Sequence, residues 1–167
     1  MENLLKLLRA RRSVRRFQDK SIPKDELEKM IDAARFAPTA RNVQPWEFIV
    51  VTDKGKLKEL AKLGENGSFL AQAAACIAVF CADTRYYLED GCAATCNILL
   101  AATALGIGSC WIAGDKKPYC PQVITLLNAP SGMKLISLIA LGYPQDEEAF
   151  KDAVKRQLRE LTHWERF

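Results

Sequence analysis

Five arginines lie within nine residues near the start of the chain, in the segment RARRSVRRF at positions 9–17. Guanidinium groups form bidentate hydrogen bonds with phosphate oxygens, and Ser13 places a hydroxyl group between them. Such a segment is typical of a nucleic-acid contact, a membrane contact or a clamp for a phosphate-bearing cofactor. The alternative without a ligand is a solvated loop that forms salt bridges.

The distribution of charge favours the phosphate clamp. The first 20 residues carry seven basic and two acidic side chains, a local net charge of +5, whereas the whole chain of 167 residues has a net charge of +4. The rest of the chain is therefore slightly acidic. A nucleic-acid surface would spread basic residues over a face and interleave them with aromatic residues. A membrane helix would need a longer apolar face than the four leucines between positions 4 and 8 provide.

A second polar segment, APTARNVQPWEFIVV at positions 37–51, combines a proline-bounded loop with a following strand. A loop between a helix and a strand presents side chains and backbone amides to a ligand. Asn42 and Gln44 each offer one acceptor and two donors, which suit the edge of a heteroaromatic ring. The alternative is a plain connecting loop that leads Trp46 into the core.

The elements that position these two segments follow from hydrophobic periodicity and from helix and turn signals. Helices are predicted at positions 3–10, between Pro23 and Pro38, and at 54–63, 86–105 and 122–128. Strands are predicted at positions 47–52, 75–82, 107–113 and 134–142, and a charged, partly helical tail follows from Gln145. This order predicts one domain over residues 1–167 with three layers, α/β/α, of either the α+β or the α/β class.

One stretch, from Gly91 to Gly114, has no charged residue and is long enough to span a bilayer. Gly106 and Gly108 interrupt it, so a buried helix that ends near Leu105, followed by a strand, is the better interpretation. No secretory signal is recognised, because the apolar run near the N terminus is short and contains a lysine. We therefore expect a cytoplasmic protein without a membrane partner.

Six cysteines could form disulfides or a metal site, but their setting favours reduced, mostly buried thiols. Cys76 and Cys81 lie in an apolar, strand-like run, and Cys92 and Cys96 lie in an alanine-rich helix. No pair has the two-residue spacing common in zinc and redox sites, so no metal is expected. An iron–sulfur or zinc site drawn from the four cysteines after position 90 is the weaker alternative.

Together the two polar segments resemble the nitroreductase-like family of flavin enzymes. The family motif Arg-Arg/His-Ser-x-Arg/Lys is matched at positions 11–15, and Pro-Ser/Thr-x-x-Asn-x-Gln-Pro-Trp is matched at positions 38–46. LGIGSCWIAG at positions 105–114 is similar to the family's Leu-Gly-Leu-Gly-x-x-Trp-Ile-Gly stretch. LIALGYP at positions 138–144 is similar to its last core strand. The four matches occur in the family's order over nearly the whole chain.

The resemblance implies a nitroreductase-like fold, with a mainly antiparallel sheet of four to five strands. It further implies a homodimer that holds two FMN molecules at the subunit interface. The residues to which it gives a role in flavin binding are Arg11, Arg12, Ser13, Arg15, Pro38, Thr39, Ala40, Asn42, Ala113, Gly114, Lys155 and Arg156.

These implied roles divide by chain segment. Residues 11–13 hold the phosphate and ribityl chain, and Arg15 lies near the pyrimidine edge, where positive charge stabilises the reduced flavin. Residues 38–42 reach the flavin bound mainly by the other subunit. The backbone amides of residues 113–114 approach flavin N5, and Lys155 or Arg156 is a second basic phosphate contact.

The resemblance also implies the reaction. NADH or NADPH gives hydride to flavin N5, and a nitroaromatic, quinone, flavin or enone acceptor is then reduced in a ping-pong cycle. No side chain acts as a catalytic acid or base, which agrees with a single histidine, His163, near the C terminus. The charged tail, roughly residues 145–167, would wrap the partner subunit. Two alternatives stay open: an FMN carrier or sensor without turnover and, less favoured, a nucleic-acid-binding domain.

Two departures from the family pattern bear on the substrate more than on the flavin. Larger relatives have a helical excursion between the second strand and the central helix, whereas here Ala82 leads almost directly to Tyr86. No lysine within ENGSFLAQA, at positions 65–73, matches a flavin-contacting lysine of some relatives, and Asn66 or Gln72 is the expected replacement. The sequence selects neither the acceptor nor the nicotinamide.

Overall fold

A four-stranded sheet lies at the centre of the computed structural model, which describes residues 2–64, 66–146, 149–151 and 153–167. Its strands are β1 (Trp46–Val51), β2 (Ala75–Cys81), β3 (Gly108–Ala113) and β4 (Lys134–Gly142). The spatial order is β1-β2-β4-β3, and each of these neighbouring pairs is antiparallel. β1 and β3 therefore form the two edges of the sheet.

Helices cover both faces of the sheet, which confirms the predicted three layers. On one side α4 (Tyr87–Ala104) packs against the sheet and contacts α1 (Glu2–Ala10) and α2 (Lys24–Arg35). On the other side lie α3 (Lys54–Leu63) and α5 (Cys120–Leu126).

The two cores follow from the alternation of side chains along the strands. In β2, Ile77 and Val79 belong to the core under α2 and α4, whereas Ala78 and Phe80 belong to the core under α3 and α5. All residues of β2 are buried, because both of its faces are covered. A strand of this kind is a continuous apolar run in the sequence.

The charge-free stretch from Gly91 to Gly114 forms most of α4 and then β3, as predicted. α4 ends where Gly106 adopts a left-handed conformation with φ of +70°. The amide of Ile107 donates to the carbonyl of Ala102 at 2.8 Å, which closes the last turn. Among the residues that the structure describes, no helix has the length and apolar character needed to cross a membrane.

The predicted bounds of α2, α5 and the tail helix differ most from the structure, whereas the other bounds agree to within one residue. α2 ends at Arg35, before the residues that precede Pro38, because a proline disfavours helical conformation in the residue ahead of it. α5 begins at Cys120, since Pro121 fits the first turn of a helix, where no amide donor is needed. In the described part of the tail, helical structure is limited to one 3₁₀ turn, Leu158–Glu160.

Candidate ligand-binding site

The arginine segment, residues 9–17, runs along the free edge of β3. The amide of Val14 donates to the carbonyl of Ser109 at 2.9 Å, and Ser13 forms a bridge with Ser109. Val14 and Phe17 are buried in the core on the α3 and α5 side of the sheet and anchor the segment there. Ser13 and Arg15 are exposed. The segment therefore presents its polar side chains on the outer side of a fixed backbone.

A glycine in β3 makes this close approach feasible. A Cβ atom at Gly108 would lie 2.8 Å from Cγ1 of Val14 and 3.1 Å from the carbonyl oxygen of Gly142. Such distances are shorter than van der Waals contact. The glycine lets the segment contact the strand without a gap.

The arginines of the segment differ in their partners. Arg16 donates to both carboxylate oxygens of Asp146 at 2.6 Å, and this ion pair raises the pKa of the guanidinium. Arg12 donates to the carbonyl of Lys151 in the tail. Arg15 lies 5.7 Å from the ring centroid of Phe69. Within the described ranges, Arg11 and Arg15 have no carboxylate partner, so their charges can act on a ligand.

A cavity of about 740 Å³ opens beside Arg15. Its walls come from Arg15, from described residues between Leu63 and Phe69, from β3 residues 110–113, and from the following residues 117–122. This volume is typical of pockets for small molecules and cofactors. Asn66, one of the two expected replacements for the family's lysine, lines the cavity.

The register of β3 decides which backbone amides face away from the sheet. The amide of Gly114 donates to the carbonyl of Ile136 at 2.9 Å, so the even-numbered positions bond to β4. The odd-numbered positions point outward. The carbonyl of Ser109 accepts from Val14, and the carbonyl of Ala113 accepts from the Tyr119 hydroxyl.

The two amides expected to approach a flavin therefore differ. The amide of Ala113 is directed away from the sheet at the cavity wall, whereas the amide of Gly114 is already bonded to β4. A Cβ atom at Gly114 would lie 2.6 Å from the carbonyl oxygen of Leu135. The close approach of β4 therefore requires a glycine at position 114. The contact of its amide with flavin N5 stays a prediction.

The second polar segment lies against the N-terminal turn of α4 and contributes no residue to the wall of the cavity. The Thr39 hydroxyl donates to Oδ2 of Asp90 at 2.8 Å, and the Ala40 amide donates to Oδ1 of Asp90 at 3.2 Å. The predicted flavin contacts Pro38, Thr39, Ala40 and Asn42 are therefore not brought together with the arginine segment within one chain. Trp46 is buried, as predicted.

The predicted basic residues of the tail, Lys155 and Arg156, are exposed and do not line the cavity. Arg156 donates to the carbonyl of Glu160 at 3.0 Å. The start of the tail does return to the arginine segment, because the amide of Gln145 donates to the carbonyl of Arg16 at 3.1 Å.

The six cysteines are free thiols. Burial raises the pKa of Cys76 and of Cys81 to about 12, so both stay protonated at neutral pH. The described residues contain no group of three or more His, Cys, Asp or Glu side chains that could hold a metal ion.

Sequence reasoning missed Asp90, which is 5% exposed. The one signal in the sequence is that Asp90 immediately precedes the charge-free part of an apolar helix. This signal does not separate it from Glu89, which is exposed.

Comparisons with known proteins decide the family. The nitroreductase family profile matches residues 8–75, and the profile described as "Putative TM nitroreductase" matches residues 55–166. A protein of Archaeoglobus fulgidus, named "Putative NADH dehydrogenase/NAD(P)H nitroreductase", is 39% identical over 175 residues that cover 100% of both chains. The chain belongs to the nitroreductase family. The resemblance seen in its sequence motifs is thereby confirmed.

Solved structures of nitroreductases confirm the fold. An FMN-dependent nitroreductase from Clostridium difficile superposes with a TM-score of 0.89 at 31% identity, covering 98% of this chain and 99% of the other. A protein from Desulfovibrio desulfuricans, described as "a putative nitroreductase in complex with fmn", superposes with a TM-score of 0.82 at 29% identity, covering 98% of this chain and 97% of the other.

Proposed function

We propose that this nitroreductase family member is an FMN-dependent oxidoreductase. It takes hydride from NADH or NADPH and passes it to a small organic acceptor in a ping-pong cycle. The observation that carries the proposal is the course of the arginine segment along β3, which places Arg15 in the wall of a cavity of about 740 Å³ and leaves Ser13 exposed on the same segment. The FMN-dependent and FMN-bound relatives support the same cofactor.

The donors of the site fit FMN. Arg11 has no acidic partner among the described residues and Ser13 is exposed, so both can bind a phosphate group, with Arg12 beside them. Arg15 and Asn66 provide hydrogen-bond donors at the cavity wall. Phe69 and other apolar residues of the same wall can pack against a planar ring.

Bound FMN would supply the two-electron redox chemistry that the side chains of this chain lack. Arg15 places positive charge at the cavity, where it stabilises an anionic ligand. The outward amide of Ala113 could donate a hydrogen bond to the bound group, and pairing of β3 with β4 fixes its direction before a ligand binds. The protonated thiols of Cys76 and Cys81 supply no nucleophile.

A homodimer would complete the site, because residues 38–42 lie outside the cavity of their own chain. Apolar side chains that a partner could cover are exposed on α1 and in the tail: Leu4, Leu5, Leu8, Val154, Leu158, Trp164 and Phe167. Exposed apolar patches of this kind mark interaction surfaces. The proposal includes one FMN-binding domain per chain, a tail that wraps the partner, and Lys155 or Arg156 as a second phosphate contact.

The six free cysteines support a reducing, cytoplasmic location for this protein.

The test is a visible absorption spectrum of the purified protein, followed by anaerobic addition of NADH and, separately, of NADPH. We expect a flavin spectrum that bleaches with at least one nicotinamide and recovers when an acceptor is added. A flavin spectrum that neither nicotinamide bleaches would instead favour the interpretation of an FMN carrier or sensor without turnover. Failure to take up supplied FMN would overturn the proposal.

A further inference from the structure

Asp90 is a buried carboxylate that forms no ion pair with a cation among the described residues. It lies in the N-terminal part of α4, and none of the ion pairs formed by the described residues includes it. The thiol of Cys81 is close enough for the charge of Asp90 to help raise its pKa. Burial of a carboxylate is unfavourable unless hydrogen bonds and local dipoles compensate. The N-terminal end of α4 and the donors from the second polar segment provide that compensation.

Thr39 connects Asp90 to the rest of the loop. Its hydroxyl donates to Asp90 at 2.8 Å and accepts from the amide of Gln44 at 3.1 Å. Because the hydroxyl proton is used by Asp90, the Thr39 oxygen can only accept a further hydrogen bond. At a ligand, Thr39 therefore suits a hydroxyl group of a polyol chain and not a phosphate oxygen.

The loop held in this way has an unfavourable backbone. Arg41, Asn42 and Gln44 have φ values of 55°, 57° and 51°. Residues other than glycine rarely adopt this left-handed region, and several such residues persist only where surrounding contacts hold them. The hydrogen bonds that Asp90 accepts from Thr39 and Ala40, with the bond that Thr39 accepts from Gln44, provide these contacts.

We infer that Asp90 is a positioning residue, which acts through Thr39 and Ala40 to fix residues 39–44 in the conformation that contacts FMN bound by a second copy of the chain. The role of FMN in this inference rests on the proposed function. The anchoring of the loop by Asp90 belongs to the single chain and is tested separately.

The test compares Asp90→Asn, Thr39→Val and the double variant with the wild-type protein. One readout is the dissociation constant of FMN, measured by fluorescence titration of flavin-free protein. The other is the rate of trypsin cleavage after Arg41 in flavin-free protein, which reports the order of the loop without any ligand. Thr39 is half-buried, so we expect Thr39→Val to fold. It keeps the inference testable if Asp90→Asn does not fold.

We expect each single variant to raise both the FMN dissociation constant and the cleavage rate by about tenfold, the effect of one lost hydrogen bond. The double variant should match the larger single effect within about twofold, because both changes break the same link. Independent, multiplying effects would show that Asp90 does not act through Thr39.

Thr95→Val is the matched control. Thr95 is a buried threonine on the same helix, and its hydroxyl bonds to the carbonyl of Gly91 and to Ser137, each at 2.8 Å. This variant should lower the unfolding temperature and leave both readouts unchanged. Wild-type values in both Asp90→Asn and Thr39→Val would overturn the inference. If wild-type protein takes up no FMN, the proposed function fails, and the cleavage rates still decide whether Asp90 fixes the loop.

Discussion

Arg11 and Ser13 are the residues on which phosphate binding should depend most directly. A charge-assisted hydrogen bond contributes about 1.5–3 kcal/mol and a neutral one about 1 kcal/mol. We therefore expect the double variant Arg11→Ala/Ser13→Ala to weaken FMN binding about 100-fold while it retains its fold. Fluorescence titration measures the affinity, and circular dichroism checks the fold.

Arg16→Ala is the control for this experiment, because it removes an arginine from the same segment. Arg16 is held by Asp146 in an exposed ion pair, and such pairs contribute little to stability. We expect its FMN affinity to stay within about threefold of wild type, given so small a contribution. Full flavin occupancy in the double variant would contradict the phosphate clamp.

The thiols of Cys76 and Cys81 should be unreactive in the folded protein. Their pKa of about 12 exceeds the ordinary value of 9.0, so the folded state retains protons that the unfolded state releases. Between pH 9.0 and about 12, stability should therefore fall as pH rises. At pH 8 we expect a disulfide reagent to leave both thiols unmodified until denaturant is added, as checked by peptide mass spectrometry. Rapid modification of Cys76 without denaturant would refute this.

At the scale of elements, Gly108 joins the arginine segment to β3. In Gly108→Ala the added methyl would crowd Val14 at 2.8 Å, and overpacking of this kind destabilises by about 1–3 kcal/mol. A displacement of Val14 would also displace its chain neighbours Ser13 and Arg15. FMN affinity should therefore fall together with stability. Thermal unfolding and FMN titration measure the two effects.

Gly106→Ala separates stability from binding. Gly106 has φ of +70° and open space around the position of a Cβ atom, so alanine introduces only backbone strain of about 1–2 kcal/mol. We expect a lower unfolding temperature with an unchanged FMN affinity. Equal losses of FMN affinity in the two glycine variants would show that general destabilisation, and not displacement of the segment, weakens binding.

At the scale of the whole molecule, association should depend on the apolar tail. Leu158 and Trp164 are 79% and 82% exposed, which is unfavourable unless a second copy covers them. We expect wild-type protein to be a dimer in sedimentation equilibrium. Leu158→Glu/Trp164→Glu should raise the dimer dissociation constant at least about tenfold, since charges in an apolar contact are poorly solvated.

The matched control for the tail is Arg159→Ala, which changes an exposed polar residue of the same 3₁₀ turn. It should leave association and FMN affinity unchanged. A monomeric wild-type protein at micromolar concentration would show that the homodimer is wrong. Dimers that persist in the glutamate variant would place the interface elsewhere, for example on α1.

The sequence alone determined the type and order of the elements, because helix and strand periodicity is a local property. The apolar run of β2 and the helix end near Leu105 were both readable in this way. Local motifs also indicated the family, since the residue types of the arginine segment and of the segment around Asn42 match the family motifs at the same spacing. The buried position of Trp46 followed from its place at the start of an apolar strand.

Only the tertiary structure decided which backbone groups point away from the sheet. Strand order and register arise from pairing between distant segments, and that pairing leaves the amide of Ala113 outward while it uses the amide of Gly114 in β4. The contact between Thr39 and Asp90 joins residues 51 positions apart, so no local pattern could specify it. Long-range packing, not residue type, thus separated the arginine segment from residues 38–42 within one chain.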